Sequence, residues 1–172
     1  MPFQTKTVFI TGASRGIGKA IALRLAKAGA NIVVAAKSTT ENPKLGGTIF
    51  SAAKEIEEAG GKALPVQCDI RDELQIQIAV DKAVETFGGI DILINNAGVL
   101  INKPFPEMKY EEMELLFRVN LFAPAMLIRE LLPLMGNGHT SHVVNISSMG
   151  GFQGSMKFPG LSYYSASKAS LA

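Results

Sequence analysis

The chain has 172 residues, a net charge of +2, 47% hydrophobic and 19% charged residues. That length suits one domain with a substantial core, and the composition is that of a folded chain rather than a disordered one. No two Lys/Arg residues are adjacent, no apolar run nears the ~20 residues of a membrane span, and Cys68 is the sole cysteine. A nucleic-acid or membrane-surface footprint, a spanning helix and an intrachain disulfide are therefore excluded as expectations.

From Met1 the chain enters a strand-like run without a charged leader region. Thr7–Thr11 is short, apolar and β-branched and predicts the first strand. Helical spacing of Ile17, Ile21, Leu25 and Ala28, stopping at Gly29, predicts the first helix. Asn31–Ala36 predicts a second buried strand, and Lys37–Gly47, with Pro43, Gly46 and Gly47, a loop. A helix over Thr48–Ala59 leads to a third strand, Lys62–Gln67, whose Pro65 suits a sheet edge. A helix over Asp72–Phe87 precedes a fourth strand, Asp91–Ile94. One long helix is expected over Met108–Met135, a fifth strand over His142–Ile146, and another helix from Ser162. The strands are continuously apolar, as in a parallel sheet covered on both faces. Their alternation with helices predicts right-handed βαβ units and an α/β, doubly wound sheet of Rossmann type in one domain over residues 1–172.

Thr11-Gly-Ala-Ser-Arg-Gly-Ile-Gly18 joins the first strand to the first helix. Gly12, Gly16 and Gly18 permit a tight turn and close backbone approach. The helix start then offers free N–H groups and a positive dipole end to a pyrophosphate.

The glycine spacing is not the common G-x-G-x-x-G. It resembles the T-G-x-x-x-G-x-G signature of the short-chain dehydrogenase/reductase family, and the likeness continues in order: Asn95-Asn-Ala-Gly98, Asn120, Ser147-Ser148 and Tyr164-Ser-Ala-Ser-Lys168. The resemblance implies a nicotinamide dinucleotide cofactor and the strand order 3-2-1-4-5, without the family's last strands. It implies cofactor contacts from Gly12, Ser14, Arg15, Gly16, Ile17, Gly18, Lys37, Asp69, Ile70, Asn96, Ala97, Gly98, Tyr164 and Lys168. It also implies catalysis by Asn120, Ser148, Tyr164 and Lys168. Tyr164 would exchange a proton with a carbonyl or alcohol oxygen, Ser148 would hydrogen-bond that oxygen, with Ser147 as second choice, and Lys168 would hold the nicotinamide ribose.

Physical chemistry supports parts of this set. Tyr164 and Lys168 share one helix face, and an ammonium there favours the phenol's anion. Tyr163 has only Ser167 one turn on, which supplies no charge. NAD-binding Rossmann domains keep an acidic residue after the second strand for the ribose 2′-hydroxyl. Here Lys37 occupies that position, and Arg15 adds a second cation. Both attract a 2′-phosphate, so NADP is expected rather than NAD. Asp69 has the family's adenine-edge position and also suits capping of the turn after it. Pro124 lacks an N–H and denies the Asn120 carbonyl its helical donor. The resulting bend either serves the family's proton relay or merely kinks a packing helix.

The segment Met149–Tyr163 is longer than the family's compact versions, so Phe152, Met156 and Phe158 either line an apolar substrate mouth or pack the loop down. Lys37-Ser38, the Asn42–Ile49 loop, Asp69–Glu73 and Phe87–Leu93 resemble one branch of the family in particular. The expected function is hydride transfer between NADP(H) and a small carbonyl or secondary alcohol. A module that binds NADP(H) without chemistry and an inactive fragment of a longer dehydrogenase fit the same sequence. No metal, nucleic-acid or membrane partner is expected. A homo-oligomer is expected for a complete protein, as are a cytoplasmic location and a fifth strand left as an exposed apolar edge.

Overall fold

The structure, a computed structural model, describes residues 3–135 and 140–172; Met1 and Pro2 lie outside it. Strands β1 (Thr7–Thr11), β2 (Asn31–Ala36), β3 (Lys62–Gln67), β4 (Ile92–Asn95) and β5 (His142–Asn145) form one parallel sheet in the order β3-β2-β1-β4-β5. Helices α1 (Gly16–Ala26), α2 (Ile49–Glu58), α3 (Glu73–Phe87), α4 (Tyr110–Phe117), α5 (Ala123–Leu131) and α6 (Ser162–Leu171) connect or follow them.

Alternate strand residues serve two separate apolar layers, as the period of a strand requires. Val8, Ile10, Ile32 and Val34 pack with Ala22, Ala26, Ile49 and Ile56 of α1 and α2. Phe9, Val33, Val66 and Leu93 pack with Ile76, Val80, Leu127 and Leu131 of α3 and α5. The central strands β1, β2 and β4 are buried on both faces, which explains their unbroken apolar sequence. Pro65 lies on edge strand β3, and β5 forms the other edge, with Val143 and Val144 about 40% exposed.

Element ends follow local chemistry. Thr48 and Ser51 form a reciprocal capping box at α2, and Asp72 accepts from the N–H groups of Leu74 and Gln75 at α3. The expected single helix over Met108–Met135 is instead broken. Met108 is extended, and Glu112 accepts from the Lys109 N–H at 2.8 Å, so α4 begins only at Tyr110. Residues Arg118–Phe122 form a π-turn between α4 and α5. Pro124 is the physical reason: with its N–H missing, the chain widens by one residue, and the Ala123 N–H reaches the Arg118 carbonyl. The first helix also ends earlier than expected, at Ala26, with Gly29 left-handed in the turn beyond it.

Among the described residues, no helix is long and apolar enough to cross a membrane, and no group of three or more His, Cys, Asp or Glu side chains is placed to hold a metal ion.

Candidate active site

Every expected site residue lies at the carboxyl ends of the strands or on the helices leaving them, where an open parallel sheet places its crevice. The glycine loop follows β1. Arg15 precedes α1 in an extended conformation and offers no side-chain cap, so the first N–H groups of α1 have no side-chain acceptor there. The loop is fastened to β4: Asn96 Nδ2 donates to the Thr11 and Gly12 carbonyls at 2.9 and 3.2 Å, and Thr11 Oγ1 accepts from the N–H groups of Asn96 and Ala97. A Cβ at position 18 would lie 2.5 Å from Asn96 Nδ2 and 2.6 Å from the Gly12 carbonyl oxygen. Close approach, rather than dihedral freedom, therefore requires glycine at 18.

Beside the loop opens a cleft of about 390 Å³. Gly12, Ser14, Arg15, Lys37, Asp69, Ile70, Asn96, Ala97 and Gly98 line it, nine of the expected cofactor residues. Gly16 and Gly18 shape the loop from outside this lining, and Ile17 is 64% exposed on α1. Sequence reasoning missed Ser38, Cys68, Arg71 and Val99 in the lining.

The mouth holds three cations and one carboxylate. Arg71 forks onto Asp69, with Nε 3.0 Å from Oδ1, and its N–H also donates to that oxygen at 3.1 Å. Lys37 Nζ stands 3.7 Å from Asp69 Oδ2. The Arg71 hydrogen bonds, with help from the Lys37 charge, hold the Asp69 carboxyl down at about 2. Asp69 thus organises the turn after β3. Burial, followed by the charges of Asp69 and Asp72, pushes the Cys68 thiol up to about 12, so it stays a thiol at neutral pH.

The second half of the site is built on α6. Lys168 is 4% exposed, and its Nζ donates to the Ile146 carbonyl at 2.7 Å. Burial lowers its pKa from the ordinary lysine value. A Cβ at Gly98 would lie 3.4 Å from Lys168 Nζ and 3.1 Å from Asn120 Oδ1, so the Asn-Asn-Ala-Gly turn abuts the lysine directly.

The two serines after β5 separate clearly. Ser147 Oγ donates to the Lys168 carbonyl at 2.8 Å and is committed to holding α6. Ser148 Oγ accepts from the Gly150 N–H at 3.3 Å, and its own O–H donates to no described residue. Gly151 presses its backbone on α6, where a Cβ would lie 2.6 Å from the Ala169 nitrogen.

Asn120 is fully buried on the π-turn. Its Oδ1 accepts from the Val99 N–H, and its Nδ2 donates to the Val99 carbonyl and to Ser167 Oγ, all at 2.9–3.0 Å. Ser167 Oγ in turn donates to the Tyr164 carbonyl at 2.7 Å. The Asn120 side chain is therefore a clip between the cleft and α6. Tyr164 is half-buried, while Tyr163 stacks on Phe105 with centroids 5.2 Å apart.

The apolar mouth does not form as a unit. Phe152 and Met156 are each 72% exposed. Phe158 and Phe105 instead line a hollow of about 580 Å³ along Ser162, Ser165, Ala166 and Ala169. By helical spacing that face of α6 lies away from Tyr164 and Lys168.

A parallel sheet in the order β3-β2-β1-β4-β5, with a glycine loop leading into its first helix and a cleft at the strand ends, is the frame of a dinucleotide-binding α/β class. The chain belongs to the short chain dehydrogenase family, whose model matches residues 6–172. It is 54% identical over 141 residues to hydroxysteroid dehydrogenase-like protein 2 of Rattus norvegicus, covering 82% of this chain and 27% of that protein. Two solved structures cover 99% of the chain. A short chain dehydrogenase/reductase from Burkholderia phymatum in complex with NAD is 30% identical, with a TM-score of 0.87 and 58% of its own chain matched. A metagenomic short-chain oxidoreductase in complex with NADP is 33% identical, with a TM-score of 0.84 and 73% matched. The chain thus spans under a third of the rat relative's length.

Proposed function

We propose that this chain carries the cofactor-binding and catalytic half of an oxidoreductase that moves hydride between NADP(H) and a carbonyl or secondary alcohol. The carrying observation is that the cleft beside the uncapped start of α1 holds a cation cluster, and that Gly98 in its lining abuts Lys168 of α6, the helix that also carries Tyr164. The residues fit a dinucleotide. Arg15 Nε is buried without a partner, and the start of α1 lacks a side-chain cap, so both are donors suited to a phosphate.

Gly12, Ser14, Gly16, Ile17 and Gly18 would cradle the pyrophosphate, and Arg15 and Lys37 the 2′-phosphate. Asp69 and Ile70 would face the adenine, and Asn96, Ala97 and Gly98 the ribose. When bound, the dinucleotide supplies or accepts the hydride. Ser148 donates a hydrogen bond to the substrate oxygen, and the Tyr164 hydroxyl exchanges a proton with it. Lys168 brings its ammonium to the nicotinamide ribose. Asn120 contributes through the backbone of the π-turn, because its side chain is committed to Val99 and Ser167. Three cations against one carboxylate favour NADP over NAD.

Thermal melting with each cofactor tests the reading. A ligand at 100 times its Kd adds about 2.7 kcal/mol, several degrees for a chain of this size. The expected result is a larger shift with NADPH than with NADH. The reverse order overturns the NADP assignment, and no shift with either overturns the dinucleotide site. Tyr164→Phe should keep the shift and lose NADPH consumption across a panel of carbonyl compounds.

A further inference from the structure

The segment between β2 and α2 is longer than a simple return turn, and its backbone is tied down. Asn42 Oδ1 accepts from the N–H groups of Lys44 and Leu45 at 2.9 and 3.2 Å, and the Asn42 carbonyl accepts from Gly46 at 2.7 Å. The Ser38 carbonyl accepts from the Ile49 N–H at 2.9 Å and draws the two ends together. The capping box of Thr48 and Ser51 fixes the start of α2.

Gly47 is thereby placed directly against the phosphate loop. Its φ is +70°, and a Cβ there would lie 2.6 Å from the Ser14 carbonyl oxygen and 3.3 Å from Arg15 Cβ. From this point the Gly47 carbonyl accepts Arg15 Nη2 at 3.0 Å, and Ser38 Oγ accepts the same nitrogen. Arg15 Nε is buried and unpartnered. The guanidinium is therefore anchored at one nitrogen with donors left over. Lys37 is a contrast: its side chain is 62% exposed and its carboxylate partner is 3.7 Å away.

We infer that the Gly47 carbonyl and the Ser38 hydroxyl form a clasp that presets the Arg15 guanidinium for the 2′-phosphate, making Gly47 and Ser38 positioning residues for NADP(H) selectivity. This rests on the NADP reading above. A free arginine loses its rotamer freedom when an anion binds, whereas a clasped one has lost it on folding. Presetting one such side chain is worth roughly threefold to tenfold in affinity. The gain falls only on a ligand that Arg15 touches, so it enters the ratio of NADPH to NADH binding.

Fluorescence titration with NADPH and NADH, on the chain and on Gly47→Ala, Ser38→Ala, Arg15→Ala and the double Arg15→Ala/Gly47→Ala, tests this. Gly47→Ala, whose Cβ also meets the Ser14 carbonyl of the pyrophosphate loop, should weaken NADPH by roughly tenfold more than it weakens NADH. The double variant should lose no more selectivity than Arg15→Ala alone. Should Gly47→Ala fail to fold, Ser38→Ala carries the test, with an expected loss of about threefold for NADPH alone. Equal losses for both cofactors, an unchanged NADPH affinity, or additive losses in the double variant overturn the clasp while the NADP reading stands. An unsubstituted chain that prefers NADH, or one whose selectivity survives Arg15→Ala, overturns the clasp together with the role given to Arg15.

Discussion

Removing the Asn120 side chain should cost the fold about 3 kcal/mol. Asn120→Ala deletes three hydrogen bonds: one accepted from the Val99 N–H, one donated to the Val99 carbonyl and one donated to Ser167 Oγ. Val99 is half-buried, so water can reach its freed groups and each loss there is about 1 kcal/mol. Ser167 is fully buried but keeps its donation to the Tyr164 carbonyl, so its share is also about 1 kcal/mol. For a chain of this length that total lowers Tm by roughly 6–12 °C. Denaturant unfolding and calorimetry check both figures. Asn120→Asp should lose at least as much at neutral pH, because it buries a carboxylate against the Val99 carbonyl. It should regain part as pH falls and the new carboxyl protonates. A loss below about 1 kcal/mol for Asn120→Ala would refute the clip.

Three further outcomes are expected. Asp69 has its folded-state pKa held at about 2, below the ordinary 3.8. Its stabilisation is therefore complete above 3.8 and fades as pH falls toward 2. The shift corresponds to at most about 2 kcal/mol, and the exposure of Arg71 reduces it to about 1, so Arg71→Ala should flatten the acid limb of a stability–pH curve. Gly151→Ala drives a Cβ to 2.6 and 2.7 Å from backbone atoms of α6 and should cost about 2–3 kcal/mol in urea unfolding. Phe105→Ala should lose about 1 kcal/mol through the ring stack, while Tyr163→Phe, which keeps the ring, should stay within about 0.5 kcal/mol.

The parallel sheet was legible because its strands are apolar in unbroken runs, and the helices because Gly60 and Gly88 mark the ends of α2 and α3, with Gly29 in the turn beyond α1. The glycine loop was legible as a spacing, and so was the face shared by Tyr164 and Lys168. What stayed hidden depends on contacts between distant segments. Nothing near Asn120 says that its amide reaches Val99 and Ser167. Pro124 gave notice of a break, but not that a π-turn would absorb it. Met108–Met135 looked continuous because propensity and periodicity run through it, and one missing N–H outweighed both. Asp69 showed as an expected adenine contact, whereas its tie to Arg71 was readable only as a short-range Asx turn two residues long. Phe152 and Met156 could line a mouth or pack the loop down as far as the sequence goes, and they do neither, because hydrophobicity alone does not say which way a loop faces.

The π-turn joins two parts of the site that the sequence keeps apart. Val99 lines the cleft beside the glycine loop, and Tyr164 lies in the first turn of α6. Between them runs an unbroken series of hydrogen bonds: the Val99 N–H to Asn120 Oδ1, Asn120 Nδ2 to Ser167 Oγ, and the Ser167 hydroxyl to the Tyr164 carbonyl. Ser167 bonding back to a carbonyl three residues earlier tends to bend a helix, here in the first turns of α6, where the tyrosine is carried. Asn120 donates to the hydroxyl that makes this bond, and each bond in such a series polarises the next. The widened turn places Asn120 between both neighbours at once. A regular α-helix through Pro124 would leave the Asn120 carbonyl without its i+4 donor and would rotate the following residues relative to those before it. The place of Tyr164 relative to the cleft thus depends on a π-turn imposed by Pro124, four residues beyond Asn120, on a segment that carries neither the glycine loop nor Tyr164 and Lys168.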